Sequence, residues 1–214
     1  MAEQKTKENK ETKSEKKAPQ KSAHGFYYYM SKAWKKPSEE MIIETRKRMI
    51  DWRAAKRVQK IDKPLRLDRA RVLGYKAKKG FVIFRVTLPR GGRAKARPTV
   101  KRRSKRFSVK KILRMSYQWV AEQRVQKRHP NLEILNSYKL GKDGRFYFFE
   151  VIAIDPNMPE IKNDPTINWI CKPENRNRSL RGLTSAARKS RGLRYRNPEL
   201  KVRPSLRAWG RQGR

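Results

Sequence analysis

Cysteine is almost absent from this sequence. Cys171 is the only one in 214 residues, so a disulfide framework is excluded and a reducing, intracellular compartment fits. Histidine is nearly as rare, with only His24 and His129. One cysteine and two distant histidines are a poor start for the four ligands of a structural zinc site, and no metal or other cofactor is expected. Long apolar runs are missing too. No stretch approaches the length of a membrane-spanning helix, and no charged helix face is backed by a purely apolar one, so a membrane partner is not expected. The first 22 residues hold seven lysines and four glutamates and have no apolar run. They do not read as a secretory leader and are expected to be a disordered tail. There is no phosphate loop of the Walker type and no dinucleotide glycine fingerprint. Fixed-period repeats are also lacking.

The scarcest commodity is negative charge. Asp and Glu number 19 against 58 Lys and Arg, a net charge of +39. Self-repulsion on this scale opposes compaction unless a polyanion supplies counter-charge, and nucleic acid is the natural supplier. The hydrophobic fraction, 36%, supports a core of about 100–130 residues rather than the whole chain.

Where the positive charge disappears, a core can be read. From Leu132 to Ile170 there are four basic and six acidic residues. Within it, Leu132 to Leu140 and Arg145 to Ile154 are β-prone, and Gly141-Lys142-Asp143-Gly144 lies between them, which reads as a hairpin. Phe146, Phe148, Glu150, Ile152 and Ile154 share one face of the second strand, and Tyr147, Phe149, Val151 and Ala153 the other. Both faces are largely apolar, so the strand is expected to be covered on both sides, and Pro156 ends it.

Around this hairpin the chain reads as follows. Gly25 to Lys36 holds Phe26, Tyr27, Tyr28, Tyr29 and Trp34, tyrosines that fit a core or an RNA surface equally. A helix enters at Pro37-Ser38-Glu39-Glu40 and carries Ile42, Thr45, Met49, Trp52 and Ala55 at helical spacing, opposite Arg46, Lys47, Arg53, Lys56, Arg57 and Lys60. Pro64 closes that segment. A short helix spans Asp68 to Leu73, with Gly74 as its left-handed C-terminal residue. Phe81 to Leu88 alternates as a strand that Pro89 stops. From Pro89 to Lys111 come eleven basic residues and no acid, an extended loop rather than a folded unit. Ser108 caps a helix running to about His129, packing through Val109, Ile112, Leu113, Ser116 and Val120. A turn of helix follows near Pro159 to Asn163, and Asn168-Trp169-Ile170 reads as extended. Residues 172–214 hold fourteen basic residues against Glu174 and Glu199 and read as an extended basic arm without a core of its own. The organisation is therefore a tail over 1–22, an α+β core over 23–171 with the basic loop 89–111, and the arm 172–214. The fold class is α+β, a small antiparallel sheet packed between helices, with long basic extensions.

The candidate RNA-binding set is Lys76, Lys78 and Lys79; Arg90, Arg93, Lys95, Arg97, Lys101, Arg102, Arg103, Lys105 and Arg106 in the loop; and Arg176, Arg178, Arg181, Arg188, Lys189, Arg191, Arg194 and Arg196 in the arm. Arginine suits bidentate phosphate contacts and stacking, and Tyr195 and Trp209 can stack on bases. No zinc finger or zipper marks a DNA reader, which leaves a chromatin-like DNA binder as a lesser alternative. The other alternative is an RNA-modifying or RNA-cleaving enzyme using Glu150, a carboxylate within an apolar strand. The ordinary reading of Glu150 is an ion pair with Arg114 or Arg124 on the neighbouring helix. Cys171 reads as a packed small hydrophobe.

Three motifs, in order, carry a resemblance. They are Leu73-Gly74-Tyr75-Lys76-Ala77-Lys78-Lys79-Gly80; Leu135-Asn136-Ser137-Tyr138 with Phe148-Phe149-Glu150-Val151-Ile152 and Asp155-Pro156; and the run from Arg181-Gly182-Leu183-Thr184-Ser185 through Ala186-Ala187-Arg188-Lys189-Ser190 to Arg191-Gly192-Leu193. Over about Ala23 to Leu193 the chain resembles the eukaryotic-type large-subunit ribosomal protein fifteen family of archaea and eukaryotes. It departs at Lys79, where glutamine is frequent, at Lys139, where tryptophan is, and at Ala187, where glycine is usual. The Asn168-Trp169-Ile170 region resembles archaeal members more than eukaryotic ones. The resemblance implies a structural, non-enzymatic component of the cytoplasmic ribosome. Its implied partners are large-subunit ribosomal RNA and neighbouring large-subunit proteins, and self-association is not expected.

Overall fold

The hairpin between Leu132 and Ile154 is the centre of the architecture, and its two apolar faces explain the layers around it. The computed structural model describes residues 24–92, 113 and 115–194. Strands β1 (Val58–Ile61), β2 (Phe81–Pro89), β3 (Glu133–Lys142) and β4 (Phe146–Ile154) form one antiparallel sheet in the order β1-β2-β4-β3. The helices are α1 (Phe26–Lys35), α2 (Glu39–Ala54), α3 (Leu67–Val72), α4 (Tyr117–Arg128), α5 (Pro159–Lys162) and α6 (Ser185–Ser190). The expected mixed α+β class, with a small antiparallel sheet and helices, is what the chain adopts.

In β4 the period of two places Ile152 and Ile154 on one face and Phe149, Val151 and Ala153 on the other, and all five are buried. The first face joins Ile83, Tyr138, Tyr75, Ile161 and Ile170 in one cluster. The second joins Phe84, Val86, Leu88, Ile134 and the α4 residues Ala121 and Val125 in another. The hairpin turn is tighter than the expected four-residue linker, because Gly141 and Lys142 belong to β3. The Asp143 carboxylate closes it by accepting the backbone N–H groups of Arg145 and Phe146, at 2.7 and 2.5 Å. Gly141 sits at an irregularity in the β3 register. A Cβ there would collide with the Met49 methyl of α2, so the bare backbone is what lets that side chain approach.

Four expectations fail. Strand β1 lies where the sequence predicts the helical segment to continue toward Pro64. α2 ends at Ala54, and Ala55 is extended at φ −69°, ψ 166°, because the edge of β2 offers a ladder that local propensity cannot foresee. Ser108 does not begin α4. Ser116 does, its hydroxyl accepting the Trp119 N–H at 3.3 Å. Ser108, Val109 and Ile112 lie outside the described residues. The helix packs through Trp119, Ala121, Glu122, Val125 and Gln126. The Asn168-Trp169-Ile170 piece is a 3-10 turn over Asn168–Cys171, not extended. Its Ile170 N–H bonds to the Ile167 carbonyl at 3.0 Å while the Ile170 side chain is buried.

The fourth concerns the first part of the expected arm. A 3-10 turn over Pro173–Asn175 and helix α6 fold it, and Ser179, Thr184 and Ala187 are fully buried. Thr184 caps α6 by accepting the Ala187 N–H at 3.4 Å. The Ser190 hydroxyl accepts the Ser116 N–H at 2.9 Å, and Trp119 Nε1 donates to the Ser179 carbonyl at 2.7 Å. Hydrogen bonds to α4 and β3 help to hold the segment, and sequence periodicity does not display them.

Helix α1 belongs to a separate unit comprising residues 1–36. None of its residues is buried, so within that unit Tyr27, Tyr28 and Tyr29 serve no core. His24 stacks on Tyr28 at 3.8 Å.

Candidate nucleic-acid interface

The basic residues singled out by sequence divide into two groups once their neighbours are known. Lys76 and Lys78 converge on one carboxylate. Their Nζ atoms stand 2.8 and 2.6 Å from Asp164 Oδ2. Lys78 also donates to the Glu160 carbonyl at 2.9 Å and Lys76 to Thr166 Oγ1 at 2.7 Å. These donors hold the Asp164 carboxyl far below the usual carboxylate range, the Lys76 bond contributing most. The pair straps the loop after α3 to the turn after α5. Gly80 completes the join: at φ 90° it brings the chain so near α5 that a Cβ would lie 2.6 Å from Ile161 Cγ1. Only Lys79 of this group is exposed.

Arg90 braces the hairpin tip. Its guanidinium donates to the Asp143 carbonyl and lies 5.2 Å from the Tyr147 ring centre. In the C-terminal segment, Arg178 is turned inward and donates to the carbonyls of Ile134 and Leu135 at 3.0 and 2.9 Å. Burial lowers its pKa. Arg191 is buried and donates to the Gly182 carbonyl at 3.0 Å. Arg181 reaches back to the carbonyls of Arg176 and Glu174. These arginines serve as internal clamps because carbonyls of the fold replace water around their donors. By contrast Lys79, Arg176, Arg188, Lys189 and Arg194 are exposed. Among the described residues none of the five is held by a carboxylate. Arg93, Lys95, Arg97, Lys101, Arg102, Arg103, Lys105, Arg106 and Arg196, with the aromatics Tyr195 and Trp209, lie outside the described residues.

The candidate set omitted exposed cations at the end of α4, namely Arg124, Lys127 and Arg128. Helical periodicity marks them as a polar face, but without the sheet beneath α4 that face has no special address.

Two fully buried carboxylates support the surface from within. Glu122 of α4 is fully buried and accepts from the hydroxyls of Ser137 on β3 and Thr184 before α6. It thereby joins three segments. Burial pushes its carboxyl up to about 7, against the opposing hydroxyl bonds and the Arg178 charge. Folded Glu122 therefore keeps its proton in a range where the unfolded chain has released it. The unfolded state binds fewer protons there, so this group makes stability fall as pH rises from the ordinary glutamate range to about 7. Glu122→Gln cannot ionise and lacks this slope. Between pH about 4.5 and 7.5 the variant is expected to gain about 3 kcal/mol on the wild type. Urea midpoints of both proteins across pH measure the difference, and parallel curves would contradict it.

Glu150 is the other. It accepts from the Tyr138 hydroxyl and from the Leu65 N–H at 3.2 Å, and its cross-strand neighbour in β2 is Arg85. The expected pairing with Arg124 is not made. Arg124 lies on α4, on the opposite side of the sheet from Glu150, and Arg114 lies outside the described residues. No group of three or more His, Cys, Asp or Glu among the described residues could hold a metal ion. No helix among them is long and apolar enough to cross a membrane.

With this geometry in place, comparison with protein families is decisive. The family model described as Ribosomal L15, of the eukaryotic type, matches residues 25–209. The chain belongs to that family. It is a structural protein of the large subunit of the cytoplasmic ribosome. The match takes in α1 and continues past Leu193, where the resemblance read from motifs ended.

Proposed function

We propose that this ribosomal protein stabilises folded large-subunit RNA by neutralising phosphates that RNA packing forces together. The observation that carries the reading is the partition of charge. Of the six carboxylates of the net-negative stretch, Glu133, Glu150 and Asp164 are taken up by the fold's own donors. Lys79, Arg176, Arg188, Lys189 and Arg194 face outward in a chain of net charge +39. Such cations displace counter-ions from RNA. The basic loop 89–111 and the residues beyond 194 add further cations, and the inward arginines Arg178 and Arg191 keep the outward ones in place. The protein acts as a monomeric component, with neighbouring ribosomal proteins as further contacts, and catalyses no reaction.

The test is sedimentation of the native protein in cell extract, with and without ribonuclease. It is expected almost wholly in the large-subunit fraction and is expected to leave that fraction when the RNA is digested. Retention on a protein-only particle, or a predominantly free pool, would overturn the reading.

A further inference from the structure

The face of the sheet that α4 covers is four strands wide, and α4 packs against β2, β3 and β4. At β1 the same face stays open among the described residues. Val58 pairs with Val86 and Lys60 with Phe84, so the side chains of Val58 and Lys60 point to the α4 side. The result is a groove of about 420 Å³ between β1 and the end of α4, within the roughly 300–1,000 Å³ range of small-ligand sites. Val58, Val82, Phe84 and Leu132 form its apolar floor. His129 stacks on Phe84 with ring centres 4.5 Å apart and planes 24° from parallel. Lys60 and Arg128 stand exposed at the rim, and among the described residues no carboxylate lines the groove. Burial and the nearby Arg128 charge lower the His129 pKa, which favours an uncharged ring with one donor and one acceptor.

We propose that this groove takes one unpaired nucleotide of the large-subunit RNA, its base against His129 and the valines and its phosphate between Lys60 and Arg128. The combination is what a nucleotide needs: a flat apolar surface for the base, a ring for stacking and edge hydrogen bonding, and paired cations for the phosphate. An apolar side chain of a neighbouring protein would use the floor but leave both cations without a counterpart. The site rests on the RNA-binding reading above and adds a place and a nucleotide to it.

The experiment measures binding of the full chain to large-subunit ribosomal RNA at several salt concentrations, for wild type, His129→Ala, His129→Phe and the double variant Lys60→Ala/Arg128→Ala. Thermal melting checks that each is folded. Loss of a stacked base weakens binding about 5- to 150-fold in His129→Ala without changing the salt slope. His129→Phe keeps a stacking ring and restores most of that loss. The double variant lowers the salt slope by about 1, for the one phosphate that is no longer neutralised. Photo-crosslinking of the assembled subunit is expected to join the groove to an unpaired nucleotide. A His129→Ala protein that binds like wild type at every salt overturns the groove and leaves phosphate binding intact. A flat salt response of the wild type overturns the RNA-binding reading itself. A crosslink from the groove to a neighbouring protein instead of RNA also overturns the proposal. Should His129→Ala not fold, the slope of the double variant and the crosslink decide.

Discussion

Affinity of the full chain for large-subunit ribosomal RNA is expected to fall about 10³- to 10⁵-fold between 50 and 200 mM salt, the response for about 6–10 phosphate contacts. The exposed Lys79, Arg176, Arg188, Lys189 and Arg194 are expected to supply five such contacts, and the basic loop 89–111 more. The internal clamps provide the contrast. Arg178 makes its bonds to Ile134 and Leu135 within the fold, so Arg178→Ala is expected to lower stability with little change in salt slope. Arg188→Ala and Lys189→Ala are expected to lower the slope by about one each with little effect on melting. Filter binding over a salt series, paired with melting curves, separates the two classes. A flat salt response would end the phosphate account, and equal slope losses from Arg178 and Arg188 would end the division into clamps and contacts.

Glu150→Leu is expected to cost about 3–5 kcal/mol, as does breaking a buried charged cluster from one side. The substitution leaves the Tyr138 hydroxyl and the Leu65 N–H without their acceptor. It also removes the negative charge nearest Arg85, which lies 4.6 Å from the Trp52 ring centre and whose pKa burial already lowers. For a chain of this size the loss corresponds to a melting point lower by about 10 °C. Tyr138→Phe removes the same bond from the other end. The double variant is therefore expected to be less destabilised than the sum of the two single ones. This also decides between structural support and chemistry. A raised carboxyl pKa beside a tyrosine resembles an acid–base pair, but burial is the leading cause of the shift, and Glu150 exposes none of its surface. A catalytic base must come within hydrogen-bond reach of the proton it takes, and a fully covered side chain meets no RNA. Normal stability and normal subunit assembly of Glu150→Leu, with an RNA product missing, would reverse this conclusion.

Local chemistry along the chain already encodes the hairpin, through β-prone runs around a Gly- and Asp-containing turn. It encodes the hairpin's coverage on both sides too, through two apolar faces at a period of two. The left-handed Gly74, at φ 97°, followed from its place after a short helix. That positive charge thins out from Leu132 to Ile170 followed from counting charge, and the family from three motifs in order. Whatever depends on a distant partner was settled only by folding. β1 has only two partly buried apolar residues, at its ends, and it is a strand because β2 lies beside it. Glu150 meets the N–H of Leu65 rather than a helix arginine, across 85 residues of chain. Lys76 and Lys78 face Asp164, and Arg178 faces the carbonyls of β3, while Lys79 and Arg188 face outward. In sequence these are equivalent cations. A lysine or arginine keeps its solvated form unless an acceptor of matching geometry replaces water, and such acceptors come here from segments about 40 to 90 residues away, which composition and periodicity do not register.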